Sequence, residues 1–188
     1  MSKNSLREWI PRYLAMGFTR LIPLRRGARG TYKEPKVKKW AVSETEPLTE
    51  QELIEYANQR GTSGLAAVLG PDRVAVTDFD KHRGGLDIFN DWFTQHRPNC
   101  DECSALPVVK TGRDGRHVYH NISDDCITNE DLGYGEVKVR NVLIALAGSY
   151  TPTGLYEYIH NEPPHLRAIP TINPYEHGLA IQDKVIQR

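Results

Sequence analysis

Two aspartates one residue apart, Asp78 and Asp80, close the apolar run Arg73-Val-Ala-Val-Thr-Asp-Phe-Asp-Lys81. Val74 to Thr77 predict a buried strand, introduced by the turn-forming Pro71-Asp72. Side chains alternate along a strand, so Asp78 and Asp80 share a face and Phe79 points the other way. A rise of about 3.3 Å per residue sets the two carboxylates about 6–7 Å apart. That spacing suits one or two divalent cations held between them. Oxygen-only ligation suits Mg²⁺ or Mn²⁺, which take one or two carboxylates plus substrate phosphates. The plainer alternative is a strand running out into a polar loop. Against it stands the basic, glycine-containing stretch Lys81-His-Arg-Gly-Gly85, in reach of the same sheet end.

Two further clusters carry chemistry. Lys110-Thr-Gly-Arg-Asp-Gly-Arg-His-Val-Tyr119 reads as a hairpin whose tip offers backbone amides and basic side chains to a phosphate. Gly and Asp also belong in any hairpin turn. Glu136-Val-Lys138 puts an acid and a base on one strand face, either as a cross-strand pairing set or as a third metal ligand beside a phosphate contact.

The elements that must position these residues follow from periodicity. Leu6 to Met16 predicts a helix with Leu6, Trp9, Ile10, Tyr13 and Leu14 on one stripe and Pro11 tolerated in its first turns. Thr19 to Leu24 predicts a strand, placed at an edge by Pro23. Thr49 caps a second helix that ends before Gly61, with Glu50 and Glu52 at its positive end. Leu65–Leu69 and Val74–Asp80 predict paired strands joined at Gly70-Pro-Asp72, and Leu86 to His96 a third helix. Leu106–Lys110 and His117–His120 flank the glycine turn. Glu136–Val139 and Leu143–Ala147 form another predicted pair, and Tyr156–Ile159 a last strand. Helices mixed with largely antiparallel strands make the class α+β.

The chain of 188 residues can bury a real core, and its formal net charge is zero, so its overall field points to no polyanion. Residues 20–39 are nevertheless basic, with Arg20, Arg25, Arg26, Arg29, Lys33, Lys36, Lys38 and Lys39 against Glu34. A solvated loop or a nucleic-acid contact accounts for this equally well. No apolar stretch spans a bilayer and the start is not a signal peptide, so no membrane partner and a cytoplasmic location are expected, with the three cysteines reduced or metal-bound.

Together these segments resemble the archaeo-eukaryotic primase superfamily, in its primase-polymerase (prim-pol) branch of plasmids, phages and mobile elements. The resemblance runs from about residue 12 to 160. It is carried by Gly17-Phe-Thr-Arg-Leu-Ile-Pro-Leu24 with Lys33-Glu-Pro35 and Trp40, then by Gly64-Leu-Ala-Ala-Val-Leu-Gly70 before Asp78-Phe-Asp80 and Gly84-Gly85. Thr111-Gly112 and Gly115-Arg-His117-Val-Tyr119 match the small-x-His motif. Glu136-Val-Lys138 stands at the third acid, and Gly148-Ser149-Tyr150, Pro152, Gly154 and Tyr156 match the segment that closes the site. Two departures stand out: the third acid is commonly Asp and here is Glu136, and Arg140-Asn-Val142 replaces the usual Gly and Asp.

The resemblance implies one prim-pol catalytic domain over residues 1–188. An N-terminal α/β module covers about 1–70, an RRM-like antiparallel sheet carrying the acids about 71–160, and a surface tail 161–188. It implies a DNA primase-polymerase in which Asp78, Asp80 and Glu136 hold two Mg²⁺ or Mn²⁺ ions. Thr111, Arg116, His117 and Lys138 would clamp the nucleotide triphosphate, with Lys33 on template or nucleotide phosphate. Single-stranded DNA template and NTP or dNTP are the implied partners, with a helicase or helical accessory domain on a longer chain. A metal-dependent nuclease and a non-catalytic replication-initiation module are the rival readings. Product length separates the first, and metal-dependent nucleotide binding the second.

Cys100-Asp-Glu-Cys103 has the spacing of half a zinc site, and His96 lies one helical turn before it. If Lys110 pairs with His117, the register brings Cys126 opposite position 101. A structural zinc on His96, Cys100, Cys103 and Cys126 is therefore expected, and some prim-pols carry a comparable zinc-binding stem.

Overall fold

The computed structural model describes residues 3–25, 34–37, 46–123, 127–151 and 154–181, without the side chains of residues 3–5, 34 and 151. Lys33, Trp40, Cys126 and Pro152 lie outside the described residues. In chain order, helix α1 (Lys3–Met16) precedes β1 (Leu21–Arg25) and β2 (Glu34–Pro35), and α2 (Glu50–Asn58) precedes β3 (Thr62–Val68) and β4 (Val74–Phe79). Then come α3 (Gly85–Asp91), α4 (Asp101–Ala105), β5 (Val108–Lys110), β6 (Arg116–Asn121), β7 (Glu130–Asp131) and β8 (Gly135–Lys138). Strands β9 (Leu143–Ala145), β10 (Tyr150–Thr151), β11 (Gly154–Leu155) and β12 (Glu157–His160) complete the set. One sheet has the order β2-β1-β3-β9, a second the order β12-β5-β6-β4-β8-β7, and β10 pairs with β11. All strand pairings within them are antiparallel, and the mixed helix and sheet content is the α+β class expected.

Local signals set the helices. Thr49 and Glu52 form a reciprocal capping box at the start of α2, satisfying two orphan amides. Leu6, Ile10 and Tyr13 of α1 are buried, with Trp9 and Leu14 packed against the same core. Because α1 begins at Lys3, Pro11 falls in its interior rather than in its first turns. The carbonyl that loses its partner is that of Arg7, which shares the exposed face with Pro11, so water can satisfy it.

Strand pairing departs from the expected neighbours. β3 and β4 are consecutive but lie in different sheets, as do β8 and β9. In both places the turn carries a non-glycine residue at positive φ, Arg73 (57°) and Asn141 (53°), which redirects the chain from one sheet to the other. β9 returns to the first sheet, so the sheets do not divide cleanly at residue 70. β1 is not an edge strand: β3 flanks it on one side and β2 pairs at Leu24 and Arg25 on the other. The tail beyond Pro163 is not confined to the surface, since Leu166, Ile169, Ile172 and Leu179 join the main core.

Behind the acid-bearing face, Phe79 stacks on Tyr134 and meets Phe89 of α3 edge-on, with centroids 5.8 and 5.5 Å apart. His120 lies on that hidden face, fully buried, its Nε2 3.1 Å from Thr77 Oγ1. Burial pushes its pKa down to about 4. Its folded pKa lies below the unfolded value near 6.5, so the unfolded chain takes up the proton first. Stability is complete above pH 6.5 and declines by about 3 kcal/mol as pH falls to 4. Denaturant unfolding across that window should show this loss in the wild type and flatten it in His120→Gln; an equally steep loss in the variant excludes His120 as the cause.

Candidate active site

One row across the second sheet assembles the site. Antiparallel register sets Asp78 of β4 opposite His117 of β6 on one side and opposite Glu136 of β8 on the other. Alternation then places Lys138 on the same face as Glu136. Three side chains that are distant in sequence thus project together from adjacent strands. β8 can approach because Gly135 has no side chain: a Cβ there would sit 1.9 Å from the Asp78 carbonyl oxygen. Gly115 makes a similar approach from the β5–β6 turn, where a Cβ would lie 2.6 Å from the Phe79 carbonyl oxygen.

The Asp78 carboxylate is held between two bases. Lys138 Nζ lies 2.6 Å from Oδ2, and His117 Nε2 lies 3.6 Å from Oδ1, an ion-pair distance beyond a hydrogen bond. Burial alone would raise the Asp78 pKa, but His117 and Lys138 overcome it and hold the carboxyl well below the usual range. Burial likewise opposes the charge on Lys138, yet Asp78 and Glu136, the latter 3.2 Å away, raise its pKa. The ammonium therefore occupies the position of a cation bridging two carboxylates. Asp80 caps the following helical turn, its Oδ1 accepting from His82 N at 2.9 Å. These acids and the bound ammonium fit a divalent cation, in chemistry and in charge.

Tyr156 closes the site from behind. It is buried, its ring 5.8 Å from that of His117. Its N–H donates to Ser149 O, and Ser149 Oγ bonds both the N–H and the carbonyl of Leu65 in β3. Burial, followed by the negative charge of Asp78, raises its pKa, so the phenol stays protonated. The sequence reading places Tyr156 in the closing segment and at the start of the last strand; β12 begins one residue later, at Glu157.

The family model for the N-terminal domain of bifunctional DNA primase/polymerases matches residues 11–173. The chain belongs to this family. A search of curated proteins finds no match. Primase/polymerase membership implies nucleotidyl transfer on DNA with nucleotide substrates and a general dependence on metal ions. No helix among the described residues is long and apolar enough to cross a membrane.

One expected residue of this primase/polymerase domain faces the other way. Arg116 pairs opposite Phe79, on the sheet face away from Asp78. Its guanidinium lies over the Phe89 ring at 5.7 Å and donates to the carbonyls of Asp114 and Gly115. It stiffens the hairpin instead of facing the acids. Thr111 is buried in the turn, its N–H donating to Gly115 O. Arg113, which the sequence reading did not single out, lies at the turn tip. Lys81, next to Asp80, reaches Asp114 at 3.1 Å, which puts the tip beside the acids. Lys110 is tied to the same Asp114 at 3.3 Å, whereas Arg113 is exposed with no ion pair among the described residues. The strand period counted back from His117 excludes Arg116 from the site face, which was the available signal.

Among the described residues, His96, Cys100 and Cys103 do not form a zinc ligand set. Cys100 and Cys103 form a disulfide, and paired sulfurs have no thiolate to give a metal. This also corrects the expectation of reduced thiols. Cys100 caps α4, a helix that breaks the hairpin register before position 101. The register itself pairs Lys110 with Arg116 rather than with His117. The histidine that joins Cys100 and Glu102 in one cluster is His177 rather than His96.

Proposed function

We propose that the chain is the catalytic part of a DNA primase-polymerase, adding NTP or dNTP units to a 3′-hydroxyl on a single-stranded template. The observation that carries the reading is the cross-strand row His117–Asp78–Glu136, with Asp80 two residues on from Asp78, just past the end of β4. Asp78, Asp80 and Glu136 are the residues that would hold Mg²⁺ or Mn²⁺ in the RRM-like sheet. Two such ions supply charge neutralisation at the attacking and leaving oxygens of an in-line displacement.

The chain's own groups do the rest. His117, fixed between Asp78 and the Tyr156 ring, donates to a phosphate oxygen. Arg113 contributes a guanidinium from the turn tip, in place of Arg116. Lys138 leaves the two carboxylates and follows the negative charge of the triphosphate, so that its position is exchanged on substrate binding. Charge-assisted bonds of this kind are worth about 1.5–3 kcal/mol each.

Two measurements test the assignment. With a primed single-stranded template, nucleotide and Mg²⁺ or Mn²⁺, products longer than the primer are expected; only shortened strands would make the chain a nuclease. In the same assay Arg113→Ala should raise the apparent nucleotide KM by about tenfold, the effect of roughly 1.4 kcal/mol, and Arg116→Ala much less. Equal effects would remove Arg113 from its role. For Lys138→Gln, Mn²⁺ titration without nucleotide should show metal binding tightened by at least about fivefold, since a competing cation is gone. Unchanged metal affinity would place the ion away from Asp78 and Glu136.

A further inference from the structure

We propose that a second, arginine-lined groove at the other end of β4 binds the sugar-phosphate backbone of a nucleic-acid strand. A cleft of about 720 Å³ is lined by Gly17, Arg73, Ser123, His165 and Arg167, among others. A second cleft of about 430 Å³ shares Pro71, Arg73 and Ile122 with it and adds Arg140. Val74 and Asp78 lie four residues apart on one strand, so the groove sits about 13 Å from the acids. It is a separate site.

Arg73 is the central observation. It takes φ 57°, a conformation in which a long side chain is strained and Gly or Asn is cheaper. Its carbonyl accepts from Ile122 N, which ties the turn to the end of β6. The strained position thus presents an exposed guanidinium at the junction of the two clefts. Among the described residues, neither the Arg73 nor the Arg167 side chain has an ion-pair partner.

A neighbouring histidine adds a donor. His165 Nδ1 accepts from Arg167 N at 3.0 Å, so the neutral ring carries its proton on Nε2. That nitrogen lies on the Gly17 side, where a Cβ on Gly17 would come within 3.1 Å of it. Asp72 is the acid of the lining, and both its oxygens accept from Thr19, one from the hydroxyl at 2.6 Å and one from the N–H at 3.1 Å. Both carboxylate oxygens are thereby engaged by Thr19, which lines the same cleft.

The occupant follows from this chemistry. Guanidiniums spread along two joined clefts match a row of phosphates better than one phosphate group. No Phe, Tyr or Trp among the described residues lines either cleft, so no large aromatic platform is offered to a nucleobase. Backbone recognition without base readout is the expected mode.

The test measures binding without metal or nucleotide, so it is independent of catalysis. Fluorescence anisotropy of a short single-stranded oligonucleotide is followed against salt for the wild type, Arg73→Gly, Arg167→Gln and the double variant. Arg73→Gly removes the charge and relieves the strained φ, so its thermal stability should be equal or higher. Each substitution should lower the salt slope by about 0.7, and the double variant should bind at least about fivefold more weakly. Arg60→Gln, an exposed arginine after α2, is the charge-matched control. An unchanged slope in the double variant, or an equal loss in Arg60→Gln, overturns the proposal. So does a competition in which a mononucleotide displaces the oligonucleotide as well as a second strand does.

Discussion

Asp78→Ala should lower template-directed nucleotide incorporation by about a thousandfold, equivalent to about 4 kcal/mol of transition-state stabilisation. The expectation rests on Asp78 being the shared member of the row, opposite both His117 and Glu136 and 2.6 Å from Lys138. Its loss would remove a ligand from the proposed metal site and also the charge beside both bases. Asp78→Asn separates the two effects, because the amide keeps the size and loses the charge. Both variants should stay folded, since the side chain lies at the rim of the core and Lys138 retains Glu136 at 3.2 Å. Incorporation in Mg²⁺ within about tenfold of wild type, from folded Asp78→Ala protein, would remove Asp78 from the metal site.

Gly135→Ala should be the most damaging conservative change to the scaffold. A methyl group 1.9 Å from the Asp78 carbonyl oxygen and 2.9 Å from its carbon cannot be absorbed by a side-chain rotation, because backbone is what it meets. β8 must move away from β4, weakening the pairing that holds Glu136 opposite Asp78. The expected cost is about 3 kcal/mol, or roughly 6–12 °C in Tm for a chain of this size. Metal-dependent nucleotide binding should weaken with it. Gly61→Ala is the comparison: φ is 84° there and no atom lies within 4 Å of the added Cβ, so its cost is only conformational, about 1 kcal/mol. A Gly135→Ala protein as stable as Gly61→Ala would mean that the close approach of β8 is not a constraint.

The sequence by itself determined what depends on near neighbours along the chain. The apolar run marked a strand over Val74–Phe79 with Asp78 and Phe79 on opposite faces, the Thr49/Glu52 pair marked the start of α2, and the spacing of Leu6, Ile10 and Tyr13 marked the buried side of α1. The motifs at Asp78, His117 and Glu136 also carried the family, which the match over residues 11–173 bears out. These signals are local, with periods of two or 3.6 residues or a fixed capping interval. Only the tertiary structure decided which strands meet. That β4 lies between β6 and β8, and that β3 and β9 leave for another sheet, depends on contacts between distant segments. A shift of one residue in register exchanges the faces of a strand. Pairing Lys110 with Arg116 instead of His117 is such a shift, and the register from which a position for Cys126 was expected is not the one formed. The place of Arg113 at the turn tip and the approach of the Tyr156 ring to His117 were decided in the same way, by how a turn and a returning segment pack against β4 and β6.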